Sequence, residues 1–236
     1  MADPAHDQTP DPITKGKLLG SAELVSLADF AAKRAEKLGK TIDTLTAGIE
    51  ARAAEVAGSL ASAGFDARAQ ADAAAKARAK ARVEVVANSS EVRWAEIKQL
   101  VAAAEGLALT EALYASPQAV LTRAGLGTPE RTDFMKQVAG AGPAEMRQLA
   151  ALAVATKNTV LGAALQSVND RLPRRDRAIS SAELAEALVG EETRAVQSAI
   201  AAIKTAAQRA INANREFEAG RVRPVERVKL ALNSKE

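Results

Sequence analysis

From Asp66 to Arg82 the chain reads DARAQADAAAKARAKAR, with alanine at every second position from Ala67 to Ala81. Alanine loses no side-chain entropy on folding into a helix and is the strongest helix former, so the tract demands a helix. Its methyl groups bury little area and cannot anchor a core alone. The tract specifies helix and argues against a pocket.

The rest of the chain fits that start. Aromatic residues make up 3% of the 236 positions: Trp94, Tyr114, Phe30, Phe65, Phe134 and Phe217. Leucine, valine and isoleucine must then supply the core, with alanine-lined seams between close helices. Trp94 and Tyr114 read as core or interface anchors. Arginine (19) outnumbers lysine (13), a balance that GC-rich codon usage also produces together with high alanine.

Residues 1–20 hold three prolines and three aspartates and read as a mobile arm. Ser21 is the expected cap of a first helix, with Glu23 in its first turn and a stop at Gly39. A second helix is expected from Thr41 to about Ser62 on Ile42, Leu45, Ile49, Ala53, Val56 and Leu60. Gly64 breaks or bends the path into the alanine tract. There Arg68, Asp72, Lys76, Lys80 and Glu84 fall four apart on one face, so Asp72–Lys76 and Lys80–Glu84 are candidate i,i+4 pairs. Beyond it, either Ser90 starts a new helix or one long helix passes through; the reading prefers the long helix.

Pro117 and Pro129 sit at first-turn positions of two short helices. Pro143 opens a longer helix carrying Met146, Leu149, Ala153, Val160, Leu161, Leu165 and Val168, ending at Pro173. Ser181 is expected to open the last long helix in the manner of Ser21. Its residues Val196, Ile200, Ile203, Ala207, Ala210 and Phe217 alternate fours and threes, the spacing of a helix–helix interface or short coiled coil, with Asn214 a polar break. Gly220 and Pro224 close it, and RPVERVKLAL is a candidate final short helix. No segment reads as a strand.

Catalytic chemistry finds little to work with. His6 is the only histidine and cysteine is absent, so histidine triads, multi-histidine metal sites, disulfides and thiol catalysis are excluded. No phosphate-binding glycine loop is present. Carboxylates fall on polar helix faces, and adjacent Glu191 and Glu192 are expected to point apart. No catalytic residue, cofactor, metal site or small-molecule substrate is indicated.

Two basic clusters remain. Arg171, Arg174, Arg175 and Arg177 lie in the loop RLPRRDR, and Arg221, Arg223, Arg227 and Lys229 near the C-terminus. Such clusters suit nucleic acid or an acidic protein surface, or cap preceding carbonyls in an ordinary loop. No interleaved aromatics offer a base-stacking platform.

The expected fold is all-α, an elongated antiparallel helix bundle with long alanine-rich helices and flexible termini. Its regions are an N-terminal arm (1–20), a long-helix region (21–115), a helical bundle region (116–220) and a basic tail or short helix (221–236). In composition and layout, without a shared motif, the chain resembles helical virion components of bacterial viruses such as head–tail connectors or internal ejection proteins. A core thin for the chain length, long helices and flanking arms point to a non-enzymatic assembly subunit whose partners are copies of itself or neighbouring subunits. The alternatives are a phasin-like surface-coating protein and a nucleic-acid-associated protein using the arginine loop. With no signal peptide and no stretch of about 18 apolar residues, the expected location is the cytoplasm or a virion.

Overall fold

The computed structural model describes residues 19–220, all helix or connecting turn with no strand among them. The basic group at Arg221, Arg223, Arg227 and Lys229, and most of the expected N-terminal arm, lie outside the described residues. The helices are α1 (Ser21–Ser62), α2 (Ala67–Glu105), α3 (Ala108–Leu113), α4 (Pro117–Arg123), α5 (Pro129–Ala139), α6 (Pro143–Ala155), α7 (Thr159–Arg171) and α8 (Ser181–Glu218), with a 3₁₀ turn at Arg174–Asp176. The chain is an all-α, multi-helix bundle built on long helices. Two compact units divide it: 29–105 with 202–220, and 19–28 with 106–201. The long helices α1 and α8 each contribute to both.

In the first unit α1 and α2 run antiparallel, tied by ion pairs of Arg34 with Glu96 and of Arg78 with Glu50, the latter at 2.7 Å. The turn between them comes from Gly64, whose φ of +80° only glycine adopts without strain. Phe65 N–H then donates back to the Leu60 carbonyl, and Asp66 Oδ1 accepts from Ala69 N–H at 2.7 Å to start α2. The core takes Leu38, Ile42 and Ile49 from α1, Ile97 and Leu100 from α2, and Ile203 and Phe217 from α8.

Several sequence expectations are corrected here. The helix does not stop at Gly39; α1 is continuous from Ser21 to Ser62. A mid-helix glycine costs about 1 kcal/mol, while burying Leu38 and Ile42 on either side returns about 1.5–3 kcal/mol each. The preferred long helix through Ser89 and Ser90, by contrast, is what the structure has, and Ser89 Oγ donates to the Val85 carbonyl at 2.6 Å. Of the alternating alanines, only those four apart (Ala69, Ala73, Ala77 and Ala81) turn inward, because a period of two cannot follow a helix. Glu84 pairs across to Arg52 at 3.8 Å rather than along its own helix to Lys80.

In the second unit α7 is the central helix, packed by α4, α5 and α6. Its residues Leu161 to Gln166 are all buried. Gly162 permits this: a Cβ there would lie 2.3 Å from Leu188 Cδ1. Ser116, Thr128 and Asn158 cap α4, α5 and α7 through their side chains. The expected single helix from Pro143 is two helices, since Lys157 adopts φ +52° and Asn158 Oδ1 accepts from Leu161 N–H at 2.8 Å. The start signals at Ser21 and Ser181 shift by one residue. Gly20 N–H is held by Glu23 Oε2, and Ser180 Oγ accepts from Glu183 N–H.

Candidate functional site

The arginine loop leaves α7 at Arg171, and Asn169 organises it. This residue is fully buried; its Nδ2 donates to the Ile179 carbonyl at 3.0 Å and to Ser181 Oγ at 3.2 Å, and its Oδ1 accepts from Ala178 N–H at 3.1 Å. Ser181 in turn donates to Asp170 at 2.7 Å. These bonds hold the end of α7 beside the start of α8 and present the intervening residues as an exposed turn.

The four arginines of that turn have different duties. Arg177 donates to the Leu172 and Asp170 carbonyls and lies 3.7 Å from the Asp170 carboxylate, so it caps α7. Arg175 meets only its neighbour Asp176, at 3.7 Å, with 87% of its side chain exposed. Arg171 and Arg174 are exposed and carry no ion pair with a described residue. Arg174 and Arg175 are therefore the cations the loop offers outward.

The seam residues of α8 lie inside the chain. Val196, Ile200, Ile203, Ala207, Ala210 and Phe217 are all buried, in a run with Val189 and Thr193 that keeps the four–three spacing. Asn214 does not break the seam. It is buried on the same line and accepts from Arg93, itself 1% exposed. Arg93 also donates to Ser89 Oγ, the Val86 carbonyl and Glu218 Oε1, and stacks 4.7 Å from the Phe217 ring centroid. Trp94 Nε1 donates to the same Glu218 oxygen at 3.2 Å. Every nitrogen of the guanidinium is engaged, so this network serves packing. Sequence reading passed over Arg93, because a charged residue next to Trp94 looks like the solvent side of a helix.

A second buried arginine supports α4. Arg131 Nη1 donates to the Thr122 and Ala124 carbonyls at 2.6 and 2.9 Å, and Nη2 to Ser167 Oγ at 2.9 Å. It closes the C-terminal end of α4 together with Gly125, which takes φ +65° one residue past the cap.

Two grooves open on the second unit, and the sequence flagged neither. One, of about 580 Å³, lies between α6 and α8 on Ala151, Val154, Ile179 and Leu184, with Arg147 and Glu183 on its walls. The apolar composition of α6, with Leu152 and Val154 exposed, was the available signal. The other, of about 570 Å³, lies between the start of α1 and α8 on Ala22, Val25, Leu188 and Ala195, with Glu191 and Glu192 along it. Both glutamates border this groove, although adjacent helical positions face different directions. Tyr114 donates to Glu192 at 3.4 Å. Its phenol pKa is raised by burial first, then by the Glu192 charge and hydrogen bond, with Arg123 opposing.

Among the described residues no group of three or more histidine, cysteine, aspartate or glutamate side chains is placed to hold a metal ion. No described helix is long and apolar enough to cross a membrane. Comparison of the chain with known protein families, characterised proteins and solved structures finds no match.

Proposed function

We propose that this chain is a non-enzymatic structural subunit that assembles with copies of itself or with neighbouring subunits. One observation carries the reading: no residue between Ala53 and Ala81 is buried, although this stretch is two helices joined by a tight turn. Most helical stability comes from packing an amphipathic face, and here the facing side chains, Leu60, Ala69, Ala73 and Ala77 among them, are only half-buried. Association would supply the packing this end of the hairpin lacks. The end of α1 (AEVAGSLAS) is rich in alanine, glycine and serine and the start of α2 in alanine, small residues that let another backbone approach closely.

As a finer reading we place it among virion components of bacterial viruses, such as head–tail connectors or internal ejection proteins. Composition and helical layout support that choice. The exposed Arg174 and Arg175 also suit nucleic-acid phosphates, which supports a nucleic-acid-associated role as the second reading.

Light scattering of the purified full chain over a concentration series tests the assembly reading. A discrete particle several times the 24.6 kDa chain mass is expected. A monomer at every concentration, with no neighbour recruited from the same genetic locus, ends it. The nucleic-acid reading expects affinity for duplex DNA that falls steeply with salt and weakens when Arg174 and Arg175 are replaced.

A further inference from the structure

We propose that the Arg174–Arg175 turn of one copy docks into the α1–α8 groove of another, against Glu191 and Glu192. The inference rests on the assembly reading above and names one contact between copies, separate from the α1–α2 hairpin.

The turn supplies the convex half. A 3₁₀ turn projects Arg174 and Arg175 after Pro173, and among the described residues neither arginine caps a helix or pairs with a carboxylate beyond adjacent Asp176. Their long, mobile side chains are costly to order, so the turn contributes little inside the chain. Asn169 and Arg177 fix the backbone beneath it, so the turn is presented in a set conformation.

The groove supplies the concave half. Its floor of Ala22, Val25, Leu188 and Ala195 suits the proline ring and the aliphatic stems of arginine. Val25, 46% exposed, is left uncovered there. Among the described residues Glu191 and Glu192 are exposed and make no ion pair, and Glu192 accepts from the Tyr114 hydroxyl. Two guanidinium groups meet two carboxylates, and charge-assisted, bidentate contacts of this kind fix orientation as well as attraction. The other groove carries one cation and one anion and offers the turn no such match.

The contact joins two different patches of the same chain. It is therefore heterologous, and repeats from copy to copy into a ring or an open filament.

Two variants of the full chain test it, each checked for helical content. Arg174→Glu/Arg175→Glu reverses the turn, and Glu191→Lys/Glu192→Lys reverses the groove. Sedimentation velocity at low salt is expected to show each alone losing association by at least about tenfold, because like charges then face each other. Mixing the two variants is expected to restore assembly, since reversed turn meets reversed groove and the native halves meet as well. Association of the wild-type chain should also weaken with salt. If the wild type assembles and neither variant changes it, these surfaces are not the contact, while the assembly reading stands. If the mixture stays monomeric while each variant keeps its helical content, the pairing is wrong. A wild type that is monomeric throughout removes the self-assembly reading and this contact together. Loss of DNA binding in the turn variant with unchanged self-association assigns the turn to nucleic acid and overturns the proposal.

Discussion

The Arg93 guanidinium of α2 donates to the side-chain oxygen of Asn214 on α8, and both residues are buried within the first unit. Each would be out of place alone. A lone arginine in that seam carries a desolvation penalty of several kcal/mol, and a lone asparagine leaves its amide unpaired. Together they are compatible with only one register of α8 against α2, because sliding by a turn separates them.

Asn214→Leu completes the apolar seam by sequence pattern, yet it removes an acceptor from a buried cation. A loss of about 2–3 kcal/mol is expected in urea unfolding, the scale of a hydrogen bond to a charged group. Adding Arg93→Leu to that variant should recover stability, since replacing both members of a buried polar pair is often neutral. An Asn214→Leu single variant as stable as wild type would show that the pair sets nothing.

Tyr114 is the only tyrosine, so ultraviolet absorbance reads its titration alone. Burial and the Glu192 carboxylate favour the neutral phenol in the folded chain and raise its pKa above the ordinary value of about 10. The sign follows. The Tyr114–Glu192 contact contributes its full stability below the unfolded pKa and loses it as pH rises through the higher folded value. Glu192→Gln should lower the folded pKa, while burial keeps it above the free phenol. A Tyr114 that titrates like free tyrosine in the wild type would contradict this account.

Asn169 uses both ends of its amide, donating to Ile179 and Ser181 and accepting from Ala178. Asn169→Ala leaves the Ile179 carbonyl and the Ala178 N–H without that partner in a half-buried setting, and a loss of about 2–4 kcal/mol is expected. Ser181→Ala removes only one of these partners and should cost about 1 kcal/mol. Thermal unfolding of both variants checks the order. Equal effects would mean the asparagine does not organise the loop.

What the sequence made legible follows local chemistry. Proline after serine or threonine marked the starts of α4 and α5, because those caps act within one turn. The four–three spacing from Val196 to Phe217 marked a seam because a helix repeats its faces locally. Gly39 misled because the burial that carries α1 past it is supplied by helices far away in sequence. Lys157 and Asn158 hid a break because apolar spacing on either side fits one helix as well as two. Among the arginines, four within seven residues were visible at once. Which of them is committed was not, because Arg177 is held by carbonyls at the end of α7. The grooves were invisible for the same reason: Val25 and Leu188 meet only in the folded chain.

The stretch from Ala53 to Ala81 makes a prediction about dynamics. Its side chains are at most half-buried, and the ion pair Arg78–Glu50 that ties it to α1 is half-exposed, worth little after solvent screening. Local opening there costs less free energy than opening the seams around Ile49, Ile97 or Ile203, where large side chains are buried. Native-state hydrogen exchange of the unassembled chain should find its amides at least tenfold less protected than those near Ile42 or Leu100, in line with a difference of about 1.4 kcal/mol or more. Asp66→Ala removes the cap of α2, worth about 1 kcal/mol, and should loosen this hairpin further. It should leave the α8 seam unchanged, because the two regions open separately. In the assembled state the same amides should slow, since a partner then covers them. Hairpin amides protected as strongly as the seam in a monomer would mean that the bare hairpin is stable by itself. The principal argument for an assembly role would then be gone.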